Sequence, residues 1–115
     1  MVEDLVVDSH DFDGGRVIAL RGELDVCTGR GLAERLRGPR EALIVVDLAG
    51  LTFLDSSGLG VLHEARRKAI EDGGSLVLCN PGAIVQRVLE LTGLDIWVTD
   101  WDPAWSNGPT PGSAR

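Results

Sequence analysis

The sequence has two cysteines, little positive charge and no long apolar run, and each shortage excludes a class of protein. It contains 11 basic against 18 acidic residues, a net charge of -7. Nucleic-acid binding needs a basic surface, and anionic membranes repel an acidic one, so neither partner is expected. Cys27 and Cys79 are far apart, without a CxxC or Cys/His cluster. This spacing predicts two free, buried thiols rather than a metal or redox pair.

Segments that would direct the chain to a membrane or bind a cofactor are also missing. No apolar run approaches the ~18 residues of a membrane helix. The acidic start, residues 1–4, lacks the basic residues of a signal peptide, so we expect a cytoplasmic protein. There is no phosphate-cradling GxxxxGK[ST] loop and no zinc pattern, so no cofactor or metal is expected. At 115 residues the chain can bury one core.

Apolar periodicity predicts strands that alternate with helices. The predicted strands are 5–9, 16–24, 43–46, 75–79 and 96–98. Helices are predicted from Asp25 or Thr28 to about residue 37, from about 57 to 72, and from Asn80-Pro81 to Gly93. The first two strands form a hairpin, and the later crossovers require parallel strands. We therefore predict an α/β domain over residues 1–101, with a mixed, mostly parallel sheet and helices packed against it.

The C-terminal residues differ in composition from the rest of the chain. Residues 102–115 are rich in proline, glycine and serine and contain few groups that could be buried. We expect a flexible tail there. Pro103 interrupts the helical spacing of the three tryptophans, so Trp97 and Trp101 are predicted to pack against the domain.

The stretch 51–60 places Asp55, Ser56, Ser57 and Gly58 where the third strand leads into the second helix. Backbone N–H groups are unpaired at a helix N-terminus, and the helix dipole is positive there. A serine at this point is either a cap or a place for a phosphate group, and local chemistry alone favours the cap. One of the three polar side chains suffices as a cap. At least one hydroxyl therefore has no structural role.

A catalytic serine is not predicted at this position. A nucleophile elbow requires Gly-x-Ser-x-Gly, but Leu54 and Asp55 stand two residues before the two serines. His63, on the following helix, is not placed to bring its ring onto the Ser57 hydroxyl. No carboxylate pair suggests another reaction. We therefore expect a protein without catalytic residues.

Three ordered motifs resemble those of STAS domains, specifically the bacterial anti-sigma factor antagonists. The first is Gly22-Glu23-Leu24-Asp25 followed by Thr28, and the second is residues 47–62 with Asp55-Ser56-Ser57-Gly58. The third is the helical segment 87–94. The resemblance extends over about residues 5–100.

The resemblance implies a phosphorylation switch rather than an enzyme. In that family, an anti-sigma factor that is also a serine kinase phosphorylates the second serine of the motif, which is Ser57 here. The unphosphorylated antagonist binds this partner and frees the sigma factor, and a serine phosphatase resets the switch. The resemblance places the partner-binding residues at Glu23, Asp25, Thr28, Asp55, Ser56, Ser57 and Gly58. The alternative is a STAS subunit of a larger signalling or transport assembly, without serine phosphorylation.

Overall fold

The computed structural model describes residues 5–100, which form a four-stranded sheet and helices packed on it. The strands are β1 (Leu5–Phe12), β2 (Gly15–Leu24), β3 (Leu43–Leu54) and β4 (Ser75–Cys79). The helices are α1 (Leu32–Arg35), α2 (Ser56–Glu71), α3 (Ala83–Thr92) and a 3₁₀ helix (Leu94–Trp97). The predicted tail, 102–115, and the predicted packing of Trp101 lie outside the described residues.

The sheet has the predicted mixed topology. Its strand order is β1-β2-β3-β4, with β1 antiparallel to β2 and the remaining neighbours parallel. The apolar sides of the helices share one buried cluster with Ile18, Val46 and Leu78 from the sheet. Because β2, β3 and β4 are parallel, their carboxyl ends lie at one edge of the sheet. The loop after β2 and the start of α2 therefore meet at that edge.

Strand β3 is inner, as its unbroken apolar run predicts, but it is longer than the predicted 43–46. It continues to Leu54 because Leu48, Leu51 and Leu54 are also buried. The buried side chain of Asp47, in the middle of the strand, accepts hydrogen bonds from Ala49 N at 3.0 Å and from Asn80 Nδ2 at 3.4 Å. The extension carries the chain directly to Asp55.

The helix predicted from Asp25 or Thr28 to about residue 37 is wrong at its start. Only Leu32–Arg35 is helical, and Gly31 precedes it with a φ of 74°. The carboxylate of Asp25 accepts hydrogen bonds from the N–H groups of Cys27 and Thr28, so it closes a turn instead of capping a helix. Residues 25–31 therefore form a loop, which places them beside α2.

Two elements near the C-terminal end also differ from the prediction. Helix α3 begins at Ala83 rather than at Asn80-Pro81, because Asn80 adopts a left-handed φ of 57° and turns the chain first. The predicted strand 96–98 is replaced by the 3₁₀ helix, which buries Leu94 directly after Gly93. Only Val98 bridges to β4, through Leu78.

Helix α2 follows its prediction closely and shows how Trp97 packs. It runs from Ser56 to Glu71 and is followed by Gly73 with a φ of 84°. The ring of Trp97 lies 4.9 Å from that of His63 and 4.7 Å from the guanidinium carbon of Arg66. This tryptophan therefore packs on the helix, as predicted. Within residues 5–100, no helix has the length and apolar character needed to cross a membrane.

Candidate functional site

The first turn of α2 is capped by Asp55. The backbone of Asp55 is extended, and its side chain accepts a hydrogen bond from Gly58 N at 3.0 Å, while its carbonyl accepts one from Leu59 N. Ser56 and Ser57 are exposed, and neither hydroxyl has a hydrogen-bond partner within residues 5–100. The cap thus uses one of the three polar side chains and leaves both serine hydroxyls available.

Gly58 brings this turn against the end of β2. A Cβ atom on Gly58 would lie 2.7 Å from the carbonyl oxygen of Leu24 and 2.6 Å from the Leu54 side chain. Only glycine permits this approach. Because Leu24 is the last residue of β2, the contact fixes the distance between α2 and the loop that begins at Asp25.

The loop after β2 is held in shape by Asp25 and Thr28. Asp25 Oδ1 accepts from Cys27 N at 2.9 Å and from Thr28 N at 3.0 Å. The Thr28 hydroxyl donates to the Glu23 carbonyl at 2.7 Å and accepts from Asp25 N at 2.9 Å. The N–H of Thr28, followed by that of Cys27, lowers the pKa of Asp25, because both groups stabilise the carboxylate.

The loop packs on α2 one turn beyond the serines. A Cβ on Gly29 would lie 2.9 Å from Val61 Cγ2, so backbone and side chain are in close contact there. Between the loop and the helix is an open cavity of about 230 Å³, lined by Asp25, Val26, Gly29, Arg30, Ser57 and Val61. Ser57 therefore lies beside the loop rather than alone at a helix end.

A comparison with protein families covers most of the chain. The model of the STAS domain family matches residues 6–104. This chain belongs to the STAS domain family.

Several similar proteins are named as anti-sigma factor antagonists. The chain is 30% identical over 95 residues to the anti-sigma F factor antagonist of Paenibacillus polymyxa, which covers 79% of this chain and 81% of that protein. The solved structure of the anti-sigma factor antagonist SpoIIAA in its unphosphorylated form has a TM-score of 0.71 and 25% identity, and the match covers 86% of this chain and 90% of that one. The phosphorylated form of SpoIIAA from Bacillus has a TM-score of 0.66 and 25% identity, over 86% of this chain and 94% of that one.

Within this STAS domain, the residues named from the sequence lie in two neighbouring segments, but their surroundings differ. Ser57 and Asp25 line the same cavity. Glu23 is exposed at the end of β2, and its carbonyl rather than its carboxylate takes part in the described hydrogen bonds. Asp55 and Thr28 hold the backbone in shape through their hydrogen bonds.

Four residues that line the cavity are not among those predicted from the sequence: Val26, Gly29, Arg30 and Val61. Val26 is 63% exposed, an unusual position for a branched apolar side chain, and Arg30 and Val61 complete the wall next to Ser57. Val61 could have been found, because it follows Ser57 by four residues and shares its helix face. Val26 and Arg30 could not, because the loop containing them was predicted as a helix.

The prediction that both thiols are buried is half wrong. Cys79 is buried and Cys27 is exposed, and both are free. Cys27 lies in the turn closed by Asp25, which holds its backbone at the surface. Burial, and then the nearby charge of Asp47, raises the pKa of Cys79 to about 12.

Proposed function

We propose that this chain is an anti-sigma factor antagonist that is switched by phosphorylation of Ser57. In the unphosphorylated state it binds an anti-sigma factor that is also a serine kinase, and the sigma factor is released. The kinase transfers the γ-phosphoryl group of ATP to Ser57 Oγ, with loss of the hydroxyl proton and formation of ADP. A serine phosphatase hydrolyses the phosphate and restores the binding form.

The main support is that Ser57 is exposed and has no structural role. Asp55 already provides the cap, so a phosphate on Ser57 breaks no described hydrogen bond. The names of the similar proteins support the class of partner. Any nucleotide belongs to the kinase, because the chain has no phosphate-cradling loop.

Phosphorylation is expected to change the binding surface more than the fold. The phosphate adds about -1.5 to -2 charges next to the positive end of the α2 dipole, which favours it by up to ~2 kcal/mol. Asp25 and Asp55 oppose it, so the effects on folding partly cancel. A partner that covers the site must instead bury negative charge that its own surface does not neutralise, which costs several kcal/mol. Binding is therefore lost while the fold is retained.

The expected binding surface combines exposed side chains with a fixed backbone. Glu23, Ser56 and Ser57 are exposed and available to a partner. Asp25, Thr28, Asp55 and Gly58 hold the loop and the helix turn in position. Val26 adds an exposed apolar contact beside them. A partner would thus bind a preformed surface, so little conformational entropy would be lost in ordering that surface.

Binding to purified anti-sigma factors from the same genome tests this proposal. Ser57→Asp introduces a charge, and Ser57→Asn is the uncharged control of similar size. We expect Ser57→Asp to bind at least about a hundredfold more weakly than Ser57→Asn, which corresponds to about 3 kcal/mol. If an anti-sigma factor binds both variants with equal affinity, charge at Ser57 does not control association and the proposal fails.

A further inference from the structure

Arg30 lines the cavity beside Ser57 and is a cation with no partner among the described residues, 5–100. It is exposed, and within residues 5–100 it has no ion pair or hydrogen bond from its side chain. Several other arginines are paired, as Arg16 is with Asp11 and Arg37 with Asp72. An unpaired guanidinium next to a serine is a preformed partner for a phosphate, since its fork of N–H donors matches phosphate oxygens.

We propose that Arg30 is the receptor for the phosphate of Ser57. The inference rests on the proposed function, in which Ser57 is the phosphate acceptor. On phosphorylation the guanidinium of Arg30 donates hydrogen bonds to phosphate oxygens across the cavity. The interaction joins the loop of residues 25–31 to the first turn of α2.

The charges around the cavity explain why a cation is useful there. Asp25 from the loop and Asp55 from the start of α2 both repel a phosphate. Their carboxylates already accept hydrogen bonds from backbone N–H groups, so neither carboxylate can move away without breaking the turn or the cap. Among the residues lining the cavity, Arg30 is the one cation that can offset this repulsion.

The contact also gives phosphorylation a second effect on the binding surface. Arg30 lines the same cavity as Val26 and Val61, so its side chain is part of the surface that a partner would contact. Once it is bound to the phosphate, the arginine is no longer free to pair with an acidic group of a partner. The phosphate therefore adds charge and removes a cation from the binding surface at the same time.

The test uses phosphoserine incorporated at position 57 during translation, so that no kinase is required. The second ionisation of this phosphate is titrated by ³¹P NMR in the parent, in Arg30→Gln and in Arg35→Gln. Arg35 is the matched control, because it is also exposed and unpaired within the described residues but does not line the cavity. A cation that pairs with the dianion favours it and lowers the phosphate pKa.

We expect the midpoint of the phosphate titration to be higher in Arg30→Gln than in the parent, by on the order of half a pH unit. In Arg35→Gln the midpoint should equal that of the parent. The difference should shrink in 1 M salt, where the Debye length falls to about 3 Å. Equal midpoints in all three proteins would overturn the role of Arg30. Melting of the unphosphorylated proteins verifies that each variant folds.

This result can be distinguished from a failure of the proposed function. If no cellular kinase modifies Ser57, the proposed switch is wrong, but the installed phosphoserine still reports whether Arg30 reaches it. If a kinase modifies Ser57 and the three phosphate titrations have equal midpoints, the proposed function is retained and Arg30 does not bind the phosphate.

Discussion

The carbonyl oxygen of Leu24 faces the α-carbon of Gly58 so closely that a Cβ atom there would lie 2.7 Å from it. The end of β2 and the first turn of α2 are thus in direct backbone contact. The contact brings the loop that follows β2 close to the serines.

We predict opposite effects for alanine at two glycines of the same helix. Gly58→Ala should destabilise the protein by about 1–3 kcal/mol, because the backbone of Leu24 must move. Gly60→Ala should stabilise it by about 0.5–1 kcal/mol, since a Cβ there meets nothing within 4 Å and alanine favours a helix. Unfolding in urea measures both changes in the free energy of unfolding. A Gly58→Ala protein as stable as the parent would show that the close approach is absent.

The ion pair between Asp72 and Arg37 should make stability depend on pH. Arg37 donates two hydrogen bonds to Asp72, at 2.9 and 3.1 Å, which lowers the pKa of the carboxyl below its usual value. Because the pKa of Asp72 is lower in the folded than in the unfolded protein, the ion pair stabilises the fold at pH values above the unfolded pKa of about 3.9. This stabilisation is lost as the pH falls through the pKa of Asp72 in the folded protein. Asp72→Asn should therefore lower the melting temperature by several degrees at pH 7, and much less in strong acid.

Asp8→Asn is the control for this measurement. Its pair with Arg21, at 3.4 Å, is exposed on both sides, so its removal should change the melting temperature little. If the two variants melt alike at pH 7, the Asp72 pair contributes no more than a surface contact.

The two thiols should differ sharply in reactivity. In the native protein at pH 8, a disulfide reagent is expected to modify Cys27 rapidly and Cys79 only after unfolding, because Cys79 is buried and its pKa is raised to about 12. Cys27→Ser should then show no fast reaction. Two fast thiols in the native parent would contradict the described burial of Cys79.

The sequence predicts the mixed topology of the sheet and the limits of α2 well, because several independent signals agree there. The apolar run of β3, the cap at Asp55 and the glycine at 73 specify that strand–helix unit, and its helix limits are correct to one residue. The available serine hydroxyl is also predictable, since one cap suffices and three candidates are present.

The loop beside the serines could not be predicted in the same way. Asp25, followed three residues later by Thr28, is compatible with a helix cap and with a closed turn, and the spacing of these residues does not decide between the two. The choice depends on a tertiary contact, the packing of Gly29 on Val61, and on the left-handed backbone of Gly31. Because the helix was predicted to begin too early, Val26 and Arg30, which complete the candidate site, were not predicted as part of it.

The most direct test of a phosphorylation switch at Ser57 is the intact mass of the protein after incubation with ATP and a lysate of its source cells, with fragmentation to locate any phosphate. Ser57→Ala and Ser56→Ala are treated in parallel. We expect one added phosphoryl group in the parent and in Ser56→Ala, located on Ser57, and none in Ser57→Ala. A phosphate elsewhere, or none in a lysate that phosphorylates other proteins, would contradict the assignment of Ser57 as the switch.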